Sequence, residues 1–313
     1  MKTKIALGVD VGGTNVAFGL CDEKGNSFFE SSFPTKSFDT PELLIEDIYQ
    51  VVEKQGLIDS LTGIGIGAPN GNINSGTIEF APNLHWKGSI PLAALFEERF
   101  GKPAILTNDA NAAAIGERIY GNAKDLDDFV LITLGTGLGS GIVANGRLLY
   151  GHDGFAGEYG HFRVIPNGRS CGCGRRGCLE TYVSATGVVR SVTELESPNK
   201  ATSALLKLET VSAEDVFELA TNGDTFAEEI IEYTAAMLGS ALADYTCFSS
   251  PKAYVLFGGI AQSGAPFAEK VKTYMEREIL NIYQNKIEIR ISSLHDKNAA
   301  VLGSCSLVWN ELN

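Results

Sequence analysis

The chain of 313 residues repeats one local pattern, in which an apolar strand, a turn rich in glycine and a second strand follow one another. The first copy covers residues 4–21 and has its turn at Val11–Thr14, and the second covers residues 129–144 and has its turn at Gly135–Gly139. A pattern that recurs after about 120 residues predicts two related α/β domains, each opening with a hairpin. We expect a small α/β domain over residues 1–112, completed by about residues 297–313, and a large one over residues 113–296.

The charge of the chain excludes two classes of partner. Lys and Arg number 25 and Asp and Glu number 38, which gives a net charge of −13. Sequence-independent binding to nucleic acid or to an anionic membrane needs a basic surface, so neither partner is expected. No apolar run reaches the ~18 residues of a membrane span, and the first residues show no signal-peptide cleavage site. We therefore expect a cytoplasmic protein.

The glycine turns are suited to a nucleotide. Small residues let the backbone approach a phosphate, and its N–H groups can then cradle the anion. Gly258 and Gly259 follow another apolar strand and suit a flat base, while Asp10 at a strand end can hold Mg²⁺ directly or through water. Any one such turn is ordinarily a tight hairpin, but three together favour a nucleotide. The predicted nucleotide-binding residues are Asp10, Gly12, Gly13, Thr14, Thr133, Gly135, Thr136, Gly137, Gly258 and Gly259.

Three of the six cysteines lie within eight residues, at Cys171, Cys173 and Cys178, and His161 lies ten residues upstream. Three thiolates and one imidazole form the closed tetrahedral set that structural zinc takes. The glycines between the thiols let the loop bend so that all the sulfurs face one point. A disulfide with one spare thiol is the alternative, and the absence of any mark of secretion favours zinc.

Two carboxylates bracket this loop. Glu158 lies three residues before His161, and Glu180 lies two residues after Cys178. Each acid could simply be solvated. Because a metal would fix the loop and both acids with it, we interpret them as a rigid hydrogen-bonding pair for a polar ligand.

Asn108 and Asp109 stand where a strand ends and a helix begins. A carboxylate there could accept the proton of a hydroxyl group that attacks a phosphate, which is the role of kinase aspartates. Either side chain could instead cap the helix, and one of the pair can do each. We predict that Asp109 is the chemical residue.

Five motifs together resemble the ROK family of sugar kinases and repressors, and within it the bacterial glucokinases. They are Asp10-x-Gly-Gly-Thr14, Ala81-Pro-Asn83, Asn108-Asp109-Ala-Asn111, Glu158-x-Gly-His161 and Cys171-x-Cys-Gly-x-x-Gly-Cys178-x-Glu180. The resemblance covers residues 4 to about 264. It implies the actin-like (ribonuclease H-like) ATPase fold, in which two α/β domains bind the sugar in the cleft between them.

The resemblance also implies roles for single residues. Asp109 would be the base, and His161 with the three cysteines would bind zinc. The side chains that would contact sugar hydroxyls are Asn83, Asn108, Glu158, His161 and Glu180. Relatives are dimers, so a homodimer is expected.

These observations predict a hexose kinase that uses ATP and Mg²⁺ to phosphorylate the 6-hydroxyl of glucose and carries structural Zn²⁺. A kinase for N-acetylglucosamine or N-acetylmannosamine stays open as an alternative, and so does polyphosphate as the donor. A sugar-responsive transcription regulator is disfavoured by the net charge and because the first strand starts at about Lys4, with no helix-turn-helix domain before it. A chaperone-like or cytoskeletal ATPase is disfavoured by the acids around the zinc loop.

Overall fold

The computed structural model describes residues 4–294 and 299–312 of a mixed α/β chain. The strands are β1 (Ile5–Val11), β2 (Asn15–Asp22), β3 (Ser27–Pro34), β4 (Leu61–Ala68), β5 (Gly71–Asn72), β6 (Thr77–Glu79), β7 (Ser89–Ile90), β8 (Ala104–Asn108), β9 (Phe129–Leu134), β10 (Leu138–Ala144), β11 (Arg147–Leu148), β12 (Ala253–Phe257) and β13 (Glu288–Ile291). The helices are α1 (Pro41–Lys54), α2 (Leu92–Phe100), α3 (Asp109–Ile119), α4 (Glu180–Val183), α5 (Ala185–Glu194), α6 (Ala213–Thr221), α7 (Thr225–Ser249), α8 (Ala265–Glu278) and α9 (Ala299–Glu311).

The chain divides into two compact units, and both are discontinuous in sequence. Unit 1 comprises Met1–Asp125, Leu148–Ala156 and Ser293–Asn313, and unit 2 comprises Leu126–Arg147 and Gly157–Ser292. The expected boundary between residues 112 and 113 falls inside α3, whereas unit 1 contains the whole of that helix. Of the expected domains, residues 1–3, 295–298 and 313 lie outside the described part of the chain.

The main sheet of unit 1 has the strand order β3-β2-β1-β4-β8. Strands β1 and β2 form the predicted hairpin and β3 extends it to an antiparallel meander, while β4 pairs in parallel with β1 and β8 with β4. Helix α9 lies directly against β1 and β4, because a Cβ atom at Gly8 would collide with the carbonyl of Val301 and one at Gly65 with the carbonyl of Ser304. Glycine on these two strands therefore sets how closely the last helix packs.

A second, three-stranded sheet in unit 1 has the order β5-β6-β7 and was not predicted from the sequence. Its buried Asn72 holds the segment Leu148–Ala156, since the Asn72 amide donates to the carbonyl of Asp153 at 2.9 Å. A Cβ atom at Gly154, whose φ is +88°, would collide with the same amide. The chain thus returns to unit 1 through a contact between residues far apart in sequence.

Unit 2 repeats the arrangement with the order β11-β10-β9-β12-β13. The predicted hairpin of β9 and β10 is confirmed, and β12 runs parallel to both β9 and β13. Helix α7 contributes Phe226, Ile230 and Tyr245 to the core, where all three are buried. In the described part of the chain, no helix is long and apolar enough to span a membrane.

Candidate functional site

The first glycine turn, after β1, is fixed within unit 1. The N–H group of Gly12 donates to the carbonyl of Asn15 at 2.9 Å, and the Thr35 hydroxyl donates to the carbonyl of Gly12 at 2.7 Å. Thr35 also donates its N–H group to the carbonyl of Thr14 at 2.9 Å. A Cβ atom at Gly13 would lie 2.6 Å from the carbonyl oxygen of Asn83. Glycine at this position therefore brings the turn against Asn83, which was predicted to bind sugar.

The carboxylates of Asp10 and Asp109 lie near one another at the ends of β1 and β8. Burial, and secondly the negative charge of Asp109, raise the pKa of Asp10 to about 7. Surrounding protein atoms also raise the pKa of Asp109 by removing hydration, although solvent still reaches its side chain. Two such carboxylates favour a proton or a divalent cation between them.

Asn108 and Asp109 both take part in capping α3. Each side chain accepts a hydrogen bond from the N–H group of Ala110 at 2.8 Å. Asn108 is the N-cap residue of α3, and the role of Asp109 as the chemical group stays a prediction. The carboxylate of Asp109 keeps acceptor capacity beyond this bond, because each carboxylate oxygen can accept more than one hydrogen bond.

The second glycine turn, between β9 and β10, is held by side chains of unit 2. The Thr133 hydroxyl accepts a hydrogen bond from the N–H group of Gly139 at 2.9 Å. Glu180 Oε2 accepts one from Leu138 at 3.1 Å, and a Cβ atom at Gly137 would lie 2.5 Å from the same oxygen. Glycine at 137 is thus required for the close approach of the Glu180 carboxylate.

A cavity of about 1140 Å³ opens beside this turn in unit 2. Gly135, Thr136 and Gly259 all line it, so the second and third predicted glycine turns meet in one cavity. Gly258 has a φ of +101°, and a Cβ atom there would lie 2.7 Å from the carbonyl oxygen of Leu134. Helices α6, α7 and α8 form the walls of the cavity, and the volume of the cavity suits a ligand of nucleotide size.

His161, Cys171, Cys173 and Cys178 form one cluster, with their potential ligand atoms all within 4.8 Å of one another. The sulfurs of Cys173 and Cys178 are 3.7 Å apart and are not joined by a disulfide. Burial opposes ionisation, but hydrogen bonds from Arg175 lower the pKa of Cys173 to about 7. Burial raises the pKa of Cys171 to about 12. Three thiols and an imidazole at this separation fit a tetrahedral zinc ion.

The two bracketing carboxylates lie against this cluster, as the sequence suggested. Glu158 Oε2 is 3.9 Å from Nε2 of His161, whose Nδ1 is 3.6 Å from the sulfur of Cys171. Glu180 Oε1 is 3.5 Å from that same sulfur. His161 therefore presents one ring nitrogen to the thiols and the other to a carboxylate, an arrangement typical of metal-bound histidines.

The predicted site residues are divided between the two units. Unit 1 holds Asp10, the turn Gly12–Thr14, Asn83, Asn108 and Asp109. Unit 2 holds Thr133, the turn Gly135–Gly137, Glu158, His161, the three clustered cysteines, Glu180, Gly258 and Gly259.

Sequence reasoning missed Arg169, a buried side chain that ties the cysteine loop to α5. Its guanidinium group lies 4.6 Å from the ring centre of Tyr182. It donates hydrogen bonds to the carbonyls of Thr181 and Gly187, to the Ser191 hydroxyl and to the Glu194 carboxylate. No local pattern marks this arginine, because most of its partners belong to a helix that the sequence did not predict.

Known proteins are similar to this chain over nearly all of its residues. A family model described as the ROK family matches residues 6–311. A glucokinase from Halalkalibacterium halodurans is 36% identical, over 100% of this chain and 97% of its own length. The crystal structure of a ROK family glucokinase from Streptomyces griseus in complex with glucose and AMPPNP is 32% identical, with a TM-score of 0.80 over 98% of this chain and 99% of its own. A xylose repressor from Bacillus spizizenii is 29% identical over 98% of this chain and 77% of its own length.

Proposed function

Because the chain belongs to the ROK family, we propose that it is a kinase that uses ATP to phosphorylate the 6-hydroxyl of glucose. The observation that carries this proposal is the Asp109 carboxylate at the start of α3, whose pKa is raised by burial and which lies near the carboxylate of Asp10. The glucokinase from Halalkalibacterium halodurans and the Streptomyces griseus structure, which holds glucose and an ATP analogue, support it.

Asp109 acts as the general base in this proposal. It accepts the proton of the 6-hydroxyl group as that oxygen attacks the γ-phosphorus of ATP and the bond to the β-phosphate oxygen breaks. A raised pKa brings the carboxylate closer to the working pH and makes it a stronger base. Asp10 would hold Mg²⁺, directly or through water, and that ion would neutralise charge on the phosphates.

The nucleotide occupies the cavity of unit 2. The turn Gly135–Gly137 takes phosphate groups with its backbone N–H groups, and Gly258 and Gly259 let the base approach the backbone. The turn Gly12–Thr14 of unit 1 serves the phosphates in the same way. Thr133 supports the second turn through its hydrogen bond to Gly139.

Structural zinc is held by His161, Cys171, Cys173 and Cys178. The ion would fix the loop between Glu158 and Glu180, so that both carboxylates keep their positions. The side chains that bind sugar hydroxyls in this proposal are Asn83, Asn108, Glu158, His161 and Glu180. The Glu158 carboxylate also faces Nε2 of His161 at 3.9 Å, on the side of the ring away from the thiols.

The experiment is a panel of sugars at saturating Mg-ATP, with ADP formation as the readout. We expect the highest kcat/KM for glucose, lower values for mannose and N-acetylglucosamine, and a poor value for fructose. Buried groups left without a hydroxyl partner cost more than a small steric adjustment at one ring position. A clear preference for N-acetylglucosamine or N-acetylmannosamine would replace this proposal by an amino-sugar kinase, and no turnover with any sugar or donor would remove it.

A sugar-responsive regulator is the second candidate, favoured by the likeness to the xylose repressor. The net charge of −13 opposes binding to DNA. A mobility-shift assay with operator-like DNA should show no complex.

We also propose that the protein is a homodimer and is located in the cytoplasm. Light scattering measures the mass in solution and tests the dimer.

A further inference from the structure

One short segment, Glu180–Thr186, binds three successive peptide groups of the second glycine turn. The bonds are the Ala185 N–H group to the Gly135 carbonyl at 2.8 Å, the Thr186 hydroxyl to the Thr136 carbonyl at 2.9 Å, and the Leu138 N–H group to Glu180 Oε2 at 3.1 Å. All of these residues belong to unit 2. The conformation of the turn is therefore set by side-chain and backbone groups from outside it.

These bonds decide which way the N–H groups of the turn point. The described residues contain no cis peptide, and in a trans peptide the carbonyl and the following N–H group point in opposite directions. The carbonyls of Gly135 and Thr136 point towards Glu180–Thr186, so the N–H groups of Thr136 and Gly137 point away from it. Neither group finds an acceptor in the described parts of the chain. Two adjacent free N–H groups on a turn that lines a cavity form a site for an anion.

The Thr186 hydroxyl is itself held in one orientation. Its oxygen is 3.0 Å from the hydroxyl oxygen of Ser184, the buried N-cap of α5. Thr186 has a single hydroxyl hydrogen, and it is donated to Thr136, so Ser184 must donate in the pair with Thr186. Ser184 accepts in turn from the N–H group of Gly187 at 3.2 Å. This chain of hydrogen bonds runs from the start of α5 to the glycine turn.

We propose that Thr186 is a positioning residue for the phosphoryl donor. Its hydroxyl holds the carbonyl of Thr136, and this contact presents the N–H groups of Thr136 and Gly137 to the phosphate groups of the nucleotide. The inference rests on the proposed function, because it takes the cavity of unit 2 as the nucleotide site. Thr186 acts through the turn and has no contact with the reacting atoms.

The test compares a nucleotide with its nucleoside. The Thr186→Val variant keeps the branched shape of the side chain but cannot donate a hydrogen bond. Loss of one such bond should raise the Kd for AMPPNP about five-fold, measured by titration calorimetry. The Kd for adenosine should not change, because adenosine carries no phosphate. Thr186→Ser restores the hydroxyl and should bring AMPPNP affinity back to within about two-fold of the parent protein.

Thr193→Val is the matched control on the same helix. The Thr193 hydroxyl is exposed and donates to the carbonyl of Arg190 within α5 at 2.9 Å. This variant should leave the affinity for AMPPNP and adenosine unchanged. In steady-state assays Thr186→Val should raise the KM for ATP and leave the KM for glucose as it was.

Two results would overturn the inference. Unchanged AMPPNP affinity in a folded Thr186→Val protein would show that the hydroxyl does not hold the turn, and an equal loss of adenosine affinity would show a general distortion of the cavity. Thermal unfolding checks the fold, with Thr186→Ala as the replacement if the valine variant does not fold. If the parent protein binds AMPPNP but phosphorylates no sugar, the proposed function fails and the binding test still decides this inference. If the parent protein binds no AMPPNP, the inference fails.

Discussion

The carboxylate of Glu180 accepts a hydrogen bond from the N–H group of Leu138 at 3.1 Å. Its other oxygen lies 3.5 Å from the sulfur of Cys171. A side chain that the sequence marked for sugar binding therefore also contacts the glycine turn and the cysteine cluster. Its orientation is set before any substrate arrives.

Glu180→Ala should weaken glucose binding by about 1.5–3 kcal/mol, because a charged hydrogen-bond acceptor is lost. It should also weaken AMPPNP binding, since Leu138 loses its acceptor. Glu180→Gln keeps an oxygen for Leu138 and should weaken glucose binding while AMPPNP affinity stays near that of the parent protein. Calorimetric titrations with both ligands decide, and an equal loss of AMPPNP affinity in the two variants would contradict the role given to the Leu138 contact.

Purified, unchelated protein should contain about one zinc ion per chain, because the cluster offers one tetrahedral set of ligands. Cys173→Ala removes a ligand and should lose the metal and most glucose phosphorylation together, as the loop carries Glu158 and Glu180. Cys247→Ala is the control, since that exposed thiol lies outside the cluster. Elemental analysis measures the zinc content and kcat measures glucose phosphorylation. Purified protein that contains no zinc but has full activity would contradict this prediction.

Asp109→Asn keeps an acceptor for the N–H group of Ala110 but cannot take up a proton at the working pH. Turnover should fall by about 10²–10⁴-fold while glucose still binds. Asp224→Asn is a matched cap variant, because Asp224 caps α7 by accepting from Ala227, and its kcat should be unchanged. Near-normal turnover in Asp109→Asn would mean that Asp109 only caps α3.

Asp10 should make the metal-free protein less stable as the pH rises. Its pKa is about 7 in the folded state and 3.8 when unperturbed, so between these values the folded state binds the extra proton. The free energy of unfolding should therefore fall from about pH 4 to about pH 7, by at most about 4 kcal/mol. Urea unfolding with a chelator measures this, and Asp10→Asn should flatten the profile. The prediction is wrong if the free energy of unfolding changes with pH in the same way in the parent protein and in Asp10→Asn.

The two glycine turns and the cysteine spacing could be predicted because their signals are local. A strand, a glycine turn and a second strand lie within about 20 residues, and the three cysteines lie within eight. The bond between Glu180 and Leu138 joins residues 42 apart, and that between Asn72 and Asp153 joins residues 81 apart. The periodicity of a sequence does not indicate which distant residues pair. Neither the return of Leu148–Ala156 to unit 1 nor the hydrogen bond from Leu138 to Glu180 could therefore be predicted from the sequence.

Helix α9 covers Gly8 and Gly65 of the main sheet of unit 1, although about 290 residues separate Gly8 from its start. The ribosome must therefore pass residue 311 before α9 can pack on the main sheet of unit 1, whereas unit 2 has all of its residues once Ser292 has emerged. A chain stopped before Ala299 should show unit 1 cut rapidly by protease while unit 2 resists, and equal resistance of the two would contradict this order. During synthesis the N-terminal strands of unit 1 are thus made early but packed late, because α9 is the element that covers them.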